Sequence, residues 1–326
     1  MKNFQHINAP DIETAVKELQ ESGSQAIAGG TDLISELKKD IRAPKKLVNI
    51  KRIPKLCKIS GTNGNLEIGA LTTLTDLETN MTIRRRFGIL SQAAGAVGTL
   101  QLRNAGTIGG NICQSVRCWY YRHPDLHCWL KGGEACYARQ GNNRIHAIFG
   151  RSPCVAVNPS DIAPALIALD AQVKIINADG SKTVPVESLF KLPESNRRKQ
   201  NVVECRELIE AVHIPSRIED SNGIYLKMME RAAWSFALAS VAVQIDWEGE
   251  AIQQARVVLG GVAGIPWRVP EAEKLLAGHN INQGLAIQAS ETAVSEAMPL
   301  EFNQYKVAMV LNLLKRAICE LKPPVK

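Results

Sequence analysis

Apolar positions along the chain change period repeatedly, and the changes outline its elements. Between Ile12 and Glu21, Ala15, Val16 and Leu19 fall on one helical face, and Asp11 behind Pro10 stands where an N-cap belongs. Gln25–Ala28 and Leu47–Ile50 read as short strands, with an amphipathic helix between them from Leu33 to about Lys39. These make a small α/β unit over about residues 1–55. A second unit opens near Lys58, with a strand at Leu66–Ala70 and helical patterns at Thr72–Glu78 and Ile83–Val97. It continues with a helix at Asp161–Ala168 and strands at Val173–Ile176 and Leu208–Ile214. Thr183–Leu189 follows Val173–Ile176 through a turn at Asp179-Gly180, and Glu194–Asn201, polar and basic, reads as an exposed loop. The turn-rich run from Pro215 to Asn222 marks a domain boundary. Beyond it, β-rich runs at Ile224–Glu230, Ala237–Trp247 and Ala251–Val262 precede helices near Pro270–Leu276, Gln283–Met298 and Tyr305–Leu321, an α+β order.

Two glycine turns interrupt the first part of this pattern. Ala28-Gly29-Gly30-Thr31-Asp32 joins a strand to a helix, and consecutive glycines there expose backbone N–H groups suited to phosphate. Asp32 would repel phosphate, so its carboxylate is read as the cap of the helix that follows. Thr107-Ile108-Gly109-Gly110-Asn111 is a second such turn, and two small-residue loops suit opposite sides of one pyrophosphate. Neither G-x-G-x-x-G nor a P-loop ending is present. Each turn alone reads equally as a plain tight turn.

Composition adds a local anomaly. The chain has 326 residues, 45% hydrophobic and 22% charged, which excludes disorder, collagen and coiled coil. No apolar run approaches the ~18 residues of a membrane span, the first residues show no signal-peptide core, and a net charge of +7 does not call for nucleic acid. A cytoplasmic protein with reduced thiols is expected. Yet five of the eight cysteines fall between residues 113 and 154, with three of the six histidines (His123, His127, His146) and many of the aromatics. Residues 117–154 also carry six Lys/Arg against two Asp/Glu. Cys118, Cys128, Cys136 and Cys154 are the candidate ligands. Their spacing contains no C-x-x-C pair, which speaks against structural zinc without excluding it, and leaves iron–sulfur and free thiols open as well. Cys113 reads as a core thiol, and Cys57, Cys205 and Cys319 as buried hydrophobes.

Three runs taken together, Ala28–Leu33, Leu102–Asn111 and Pro159–Leu166, resemble the FAD-binding subunit of the xanthine dehydrogenase and carbon monoxide dehydrogenase family of molybdenum hydroxylases. Tyr225-Leu226-Lys227 with Arg231, and Val258–Ala263, resemble that family's C-terminal domain, so the likeness covers essentially the whole chain. It implies an α+β fold: a two-part FAD-binding domain (PCMH/VAO-like) at 1–216, divided at about residue 55, then an α+β domain of the carbon monoxide dehydrogenase flavoprotein type at 217–326. By the same resemblance, Ile27, Ala28, Gly29, Gly30, Thr31, Asp32, Leu33 and Ile34 wrap the FAD pyrophosphate. Thr107, Gly109, Gly110 and Asn111 form the second contact. Asp161 bonds the ribityl or phosphate region, or caps the helix at Ile162, and Lys227 lies near the isoalloxazine, the alternative being a solvated strand charge.

Where most such subunits run about ten residues from the Gly-Gly-Asn turn to this aspartate, here fifty separate Asn111 from Asp161. An insert over about residues 114–156 resembles that of the 4-hydroxybenzoyl-CoA reductase beta subunit and of certain bacterial aldehyde oxidoreductase FAD subunits, where it holds a 4Fe-4S cluster. The resemblance thus implies FAD and one 4Fe-4S cluster on Cys118, Cys128, Cys136 and Cys154. It also implies a molybdenum-cofactor large subunit, a 2Fe-2S small subunit and a heterotrimer or dimer of heterotrimers. Arg117, Arg122, Arg139 and Arg151 would raise the cluster's potential and steer an acidic carrier such as a ferredoxin. Outward electron flow from an aldehyde or N-heterocycle oxidoreductase is the leading reading. Inward flow as in a hydroxybenzoyl-CoA reductase is one rival, a zinc-bearing interaction module another. No residue is assigned a direct catalytic role, and location outside the cytoplasm would need export with a partner.

Overall fold

Three sheets carry the strands in the computed structural model, which describes residues 1–324; the last two residues of the expected C-terminal domain, 325–326, lie outside them. Strands β1 (Gln5–Asn8), β2 (Ser24–Ile27) and β3 (Lys46–Asn49) form a parallel sheet of order β1-β3-β2. Helix Ile12–Leu19, which packs on this sheet, is capped as expected: Asp11 accepts from Thr14 N at 2.7 Å, and Ala15, Val16 and Leu19 are buried. Strand β1 is a departure from the sequence reading. Apart from Ile7 its residues are polar, and most are exposed, so no periodicity announces it, and it exists through its ladder to β3.

Strands β4 (Ile59–Thr62), β5 (Asn65–Gly69), β6 (Gln172–Asn177), β7 (Gly180–Pro185) and β8 (Leu208–Ile214) form an antiparallel sheet of order β4-β5-β8-β6-β7. The helical run expected over Ile83–Val97 is broken at Phe87, whose backbone leaves the helical region (φ −133, ψ 44). Helices Met81–Arg86 and Gly88–Gly95 result. Thr183–Leu189 likewise divides: the strand ends at Pro185 and a helical turn follows.

The third sheet is antiparallel, β9 (Ser221–Met228), β10 (Ala239–Glu248), β11 (Ala251–Gly260) and β12 (Trp267–Arg268), in order β12-β11-β10-β9. Strand β10 is buried at every position but its last. Both of its faces are covered, so that even Ser240, Gln244 and Asp246 are buried: helix Tyr305–Glu320 packs on it, and so does helix Ile162–Ala168 from the preceding part of the chain, whose seven residues are all buried. The segment between Cys113 and Asn158 has no strand, only single helical turns at Trp119–Arg122, Trp129–Lys131 and Tyr137–Arg139. It is stitched to the third sheet by Ile148 N to Val262 O at 2.8 Å and Asn158 N to Ala263 O at 2.8 Å.

Candidate cofactor site

Both glycine turns open on one cavity of about 700 Å³, a size ordinary for a cofactor pocket. The first turn leaves β2 at Ile27 and enters helix Leu33–Lys38, with Gly30 at φ +71, a left-handed conformation that favours glycine. Gly29 has a different constraint. A Cβ there would stand 1.8 Å from the Ala105 carbonyl oxygen, so the two turns touch backbone to backbone. Among the described residues, the N–H groups from Gly29 to Asp32 bond to no protein acceptor, which suits an anion at a helix start. The second turn differs. Ile108 N bonds Thr72 O, Gly109 N bonds Ala70 O, and Gly110 N bonds Thr107 Oγ1. Its amides are engaged internally, so it offers a close, flat wall and the Thr107 hydroxyl rather than a row of donors.

Ile27 through Leu33, Thr107, Gly109, Gly110, Asn111 and Asp161 all line this cavity. Ile34 does not; its side chain is largely exposed. Lys227 stands outside the wall, and it is neither solvated nor free. Its Nζ lies 2.8 Å from Asp161 Oδ2 and 2.9 Å from the Ala96 carbonyl, with both charged side chains buried. Tyr225 donates to the other Asp161 oxygen at 2.9 Å. Burial pushes the Asp161 carboxyl above its ordinary value, against the pull of Lys227 and Tyr225. Asp161 makes no side-chain cap; Ser160 Oγ accepts from Ala163 N instead, and donates to Asn111 Oδ1 at 2.6 Å.

The expected cap by Asp32 is also corrected. Its carboxylate makes no cap bond to the helix behind it. It turns to the insert, accepting from Ser115 N at 2.7 Å, from Arg122 at 2.7 Å and from Arg117. Three donors outbid a cap. Burial opposes the charge on Asp32, yet Arg117, Arg122 and the Ser115 amide hold its carboxyl below the usual range. Four residues on, buried Glu36 accepts from the Tyr121 hydroxyl at 3.1 Å and pairs with Arg42 at 3.0 Å. Two of the four arginines expected to bias the insert's charge are therefore paired to Asp32 of the first glycine turn.

A group whose folded value is depressed stabilises above its unfolded value, about 3.9 for Asp, and loses that contribution as pH falls through the folded value. Asp32→Asn is accordingly expected to destabilise by about 2 kcal/mol at neutral pH and to flatten the loss of stability below about pH 4. Urea unfolding at a series of pH values measures both.

Cys118, Cys128, Cys136 and Cys154 share one apolar cluster with Val116, Tyr121, Trp129 and Ala156. Burial pushes the Cys118 thiol up to about 11, although the Tyr121 and Tyr120 amides favour its thiolate. The hydrogen bond from Cys154 lowers Cys136, with the Val155 and Ala138 amides acting the same way. None of the eight cysteines is joined in a disulfide. Cys57, Cys205 and Cys319 are exposed and not the buried hydrophobes expected. Cys113 is no core thiol either: it faces the cavity, and the surrounding protein pushes it up to about 12. Among the described residues, no three His, Cys, Asp or Glu side chains are grouped to chelate a single metal ion.

Some of the wall carried no sequence signal. Trp234, strained at φ +52 and 65% exposed, and Phe236 line the cavity from the loop after β9, with Arg117 4.8 Å over the Phe236 ring. Arg198, in the loop read as exposed, reaches in to bond the Trp129 and Gly133 carbonyls, each at 2.7 Å.

Residues 2–217 match the family model of the FAD binding domain in molybdopterin dehydrogenase, and residues 224–321 match the CO dehydrogenase flavoprotein C-terminal domain. The chain belongs to the FAD-binding subunits of the molybdenum hydroxylases. This flavin subunit is 34% identical over 323 residues, 98% of each chain, to the aldehyde oxidoreductase FAD-binding subunit PaoB of Escherichia coli. It is 26% identical over 97% of its length, and 96% of the relative's, to the carbon monoxide dehydrogenase medium chain of Hydrogenophaga pseudoflava. A solved carbon monoxide dehydrogenase from Hydrogenophaga pseudoflava has the same fold, with a TM-score of 0.77 at 24% identity, covering 98% of this chain and 96% of that one. The chain thus carries an FAD-binding domain, and the subunit is a component of an oxidoreductase. No helix among the described residues is long and apolar enough to cross a membrane.

Proposed function

We propose that this flavin subunit relays electrons between 2Fe-2S clusters of a small partner subunit and an external redox carrier, and itself holds a 4Fe-4S cluster on Cys118, Cys128, Cys136 and Cys154. The assembly would include a large subunit with the molybdenum cofactor, oxidise an aldehyde or N-heterocycle, and reside in the cytoplasm. Whole-length similarity to an aldehyde oxidoreductase subunit favours an aldehyde and outward flow. In this reading residues 1–216 bind FAD, the Ile27–Ile34 turn takes the pyrophosphate on its free amides, and Thr107, Gly109, Gly110 and Asn111 close the opposite side. Asp161 faces the cofactor from the cavity wall, and Lys227 holds Asp161 in place from behind. FAD, when bound, supplies the capacity to exchange electrons singly or in pairs.

The observation that carries the cluster is the donor set. Four thiols from four separate turns lie in one apolar cluster; backbone amides favour the thiolates of Cys118, Cys136 and Cys154, while burial at Cys118, and the Cys136 thiol and burial at Cys154, push those two groups up. A cube takes one thiolate on each of four irons, a wider arrangement than chelation of one ion. Asp32 and Glu36 clamp the segment carrying Cys118 to the first glycine turn, which would bring the two cofactors near each other. Cys128→Ser tests the assignment. The 4Fe-4S signal in electron paramagnetic resonance should be lost with the flavin retained. An unchanged iron content and signal would contradict it.

A further inference from the structure

We propose that His146 is a positioning residue for the cluster: its Nε2–H donates to the Cys118 sulfur and raises the cluster's reduction potential. The inference rests on the 4Fe-4S reading and goes beyond the ligand set.

Nε2 of His146 lies 3.2 Å from Cys118 Sγ. A cluster-bound sulfur carries no proton, so this contact forms only with the proton on Nε2. That leaves Nδ1 as the bare nitrogen, and Nδ1 is the ring atom without a hydrogen-bond partner. The ring is 1% exposed and wedged edge-on to Trp119, centroids 5.8 Å apart, and tilted on Tyr120.

Its backbone is held with equal care. His146 N bonds Asn143 O at 2.9 Å, and its carbonyl accepts from Asn303 Nδ2 at 3.1 Å and Lys306 Nζ at 3.0 Å. Lys306, fully buried at the start of helix Tyr305–Glu320, also bonds the Ile145 and Gly261 carbonyls, at 3.1 and 2.8 Å. The C-terminal domain thus fixes a histidine that touches a proposed ligand sulfur. Hydrogen bonds to the sulfurs draw charge from them and favour the reduced, more negative cluster.

The test uses the purified assembly containing this chain, unaltered and as His146→Leu and His146→Gln. Iron and sulfide are measured with a redox titration followed by paramagnetic resonance. The leucine variant should keep its iron and show a lower midpoint potential. Glutamine, which keeps an N–H donor, should lie nearer the unaltered value. A leucine variant whose cluster titrates at an unchanged potential overturns the role of His146. Should leucine abolish the cluster, ¹⁵N-histidine labelling of the unaltered assembly decides: a weak nitrogen coupling, smaller than a directly bound imidazole gives, supports the proposal, and no coupling overturns it. Absence of iron and sulfide from the unaltered chain would instead defeat the cluster reading itself.

Discussion

Gly29→Ala is expected to weaken FAD binding by roughly tenfold to a hundredfold. The added Cβ would stand 1.8 Å from Ala105 O and 2.7 Å from Ala105 C, both backbone atoms that cannot swing aside. The clash is relieved only if the two turns separate, and separation moves the free amides of Gly29–Asp32 off the cofactor. Overpacking of this kind costs about 1–3 kcal/mol, and each ~1.4 kcal/mol taken from binding is tenfold in affinity. The expected result is a chain that folds but purifies with little flavin, read from its visible absorption and from titration with added FAD. Gly88→Ala is the control. A Cβ there meets nothing within 4 Å, and Gly88 opens a helix, so flavin content and stability should hold or rise slightly.

The second large effect lies behind the cavity. Lys227→Met removes one partner of a buried ion pair that joins β9 to the start of helix Ile162–Ala168. It leaves the Asp161 carboxylate with only the Tyr225 hydroxyl and strips the Ala96 carbonyl of its donor. Breaking such a pair from one side costs about 3–5 kcal/mol, whereas replacing both partners is often neutral. Lys227→Met should therefore lower the midpoint of thermal unfolding by roughly 10 °C, and the double variant Asp161→Asn, Lys227→Met should recover a good part of it. Scanning calorimetry of the three proteins checks this. A single variant as stable as the unaltered chain would mean that the pair does not hold the two parts of the molecule together.

Much of this architecture was legible before any coordinates. The mostly apolar β10, the capped helix at Ile12–Leu19 and strand β8 at Leu208–Ile214 carry local patterns strong enough to stand alone, and the first glycine turn joins the strand and helix expected of it; the second follows helix Leu100–Ala105, not a strand, and itself forms helix Ile108–Ile112. What was not legible depends on partners distant in sequence. Asp32 reads as a cap until Arg117 and Arg122, about ninety residues on, are folded against it. Lys227 reads as a residue near the isoalloxazine or a solvated strand charge, and its pairing shows only once Asp161 is folded against it. Strand β1 has no apolar face, so only its ladder to β3 reveals it. The scattered cysteines mislead in the opposite sense: residue type predicts burial, but Cys57, Cys205 and Cys319 fall on exposed positions.

The most direct test is the cofactor content of the anaerobically purified chain: flavin, iron, acid-labile sulfide and zinc, with the absorption spectrum. FAD together with about four iron and four sulfide per chain, the content of a 4Fe-4S cube, is the predicted result. Flavin without iron, not restored by reconstitution with iron and sulfide, would contradict the cluster and reduce the cysteine insert to a structural loop. Zinc without flavin would contradict the site at its centre.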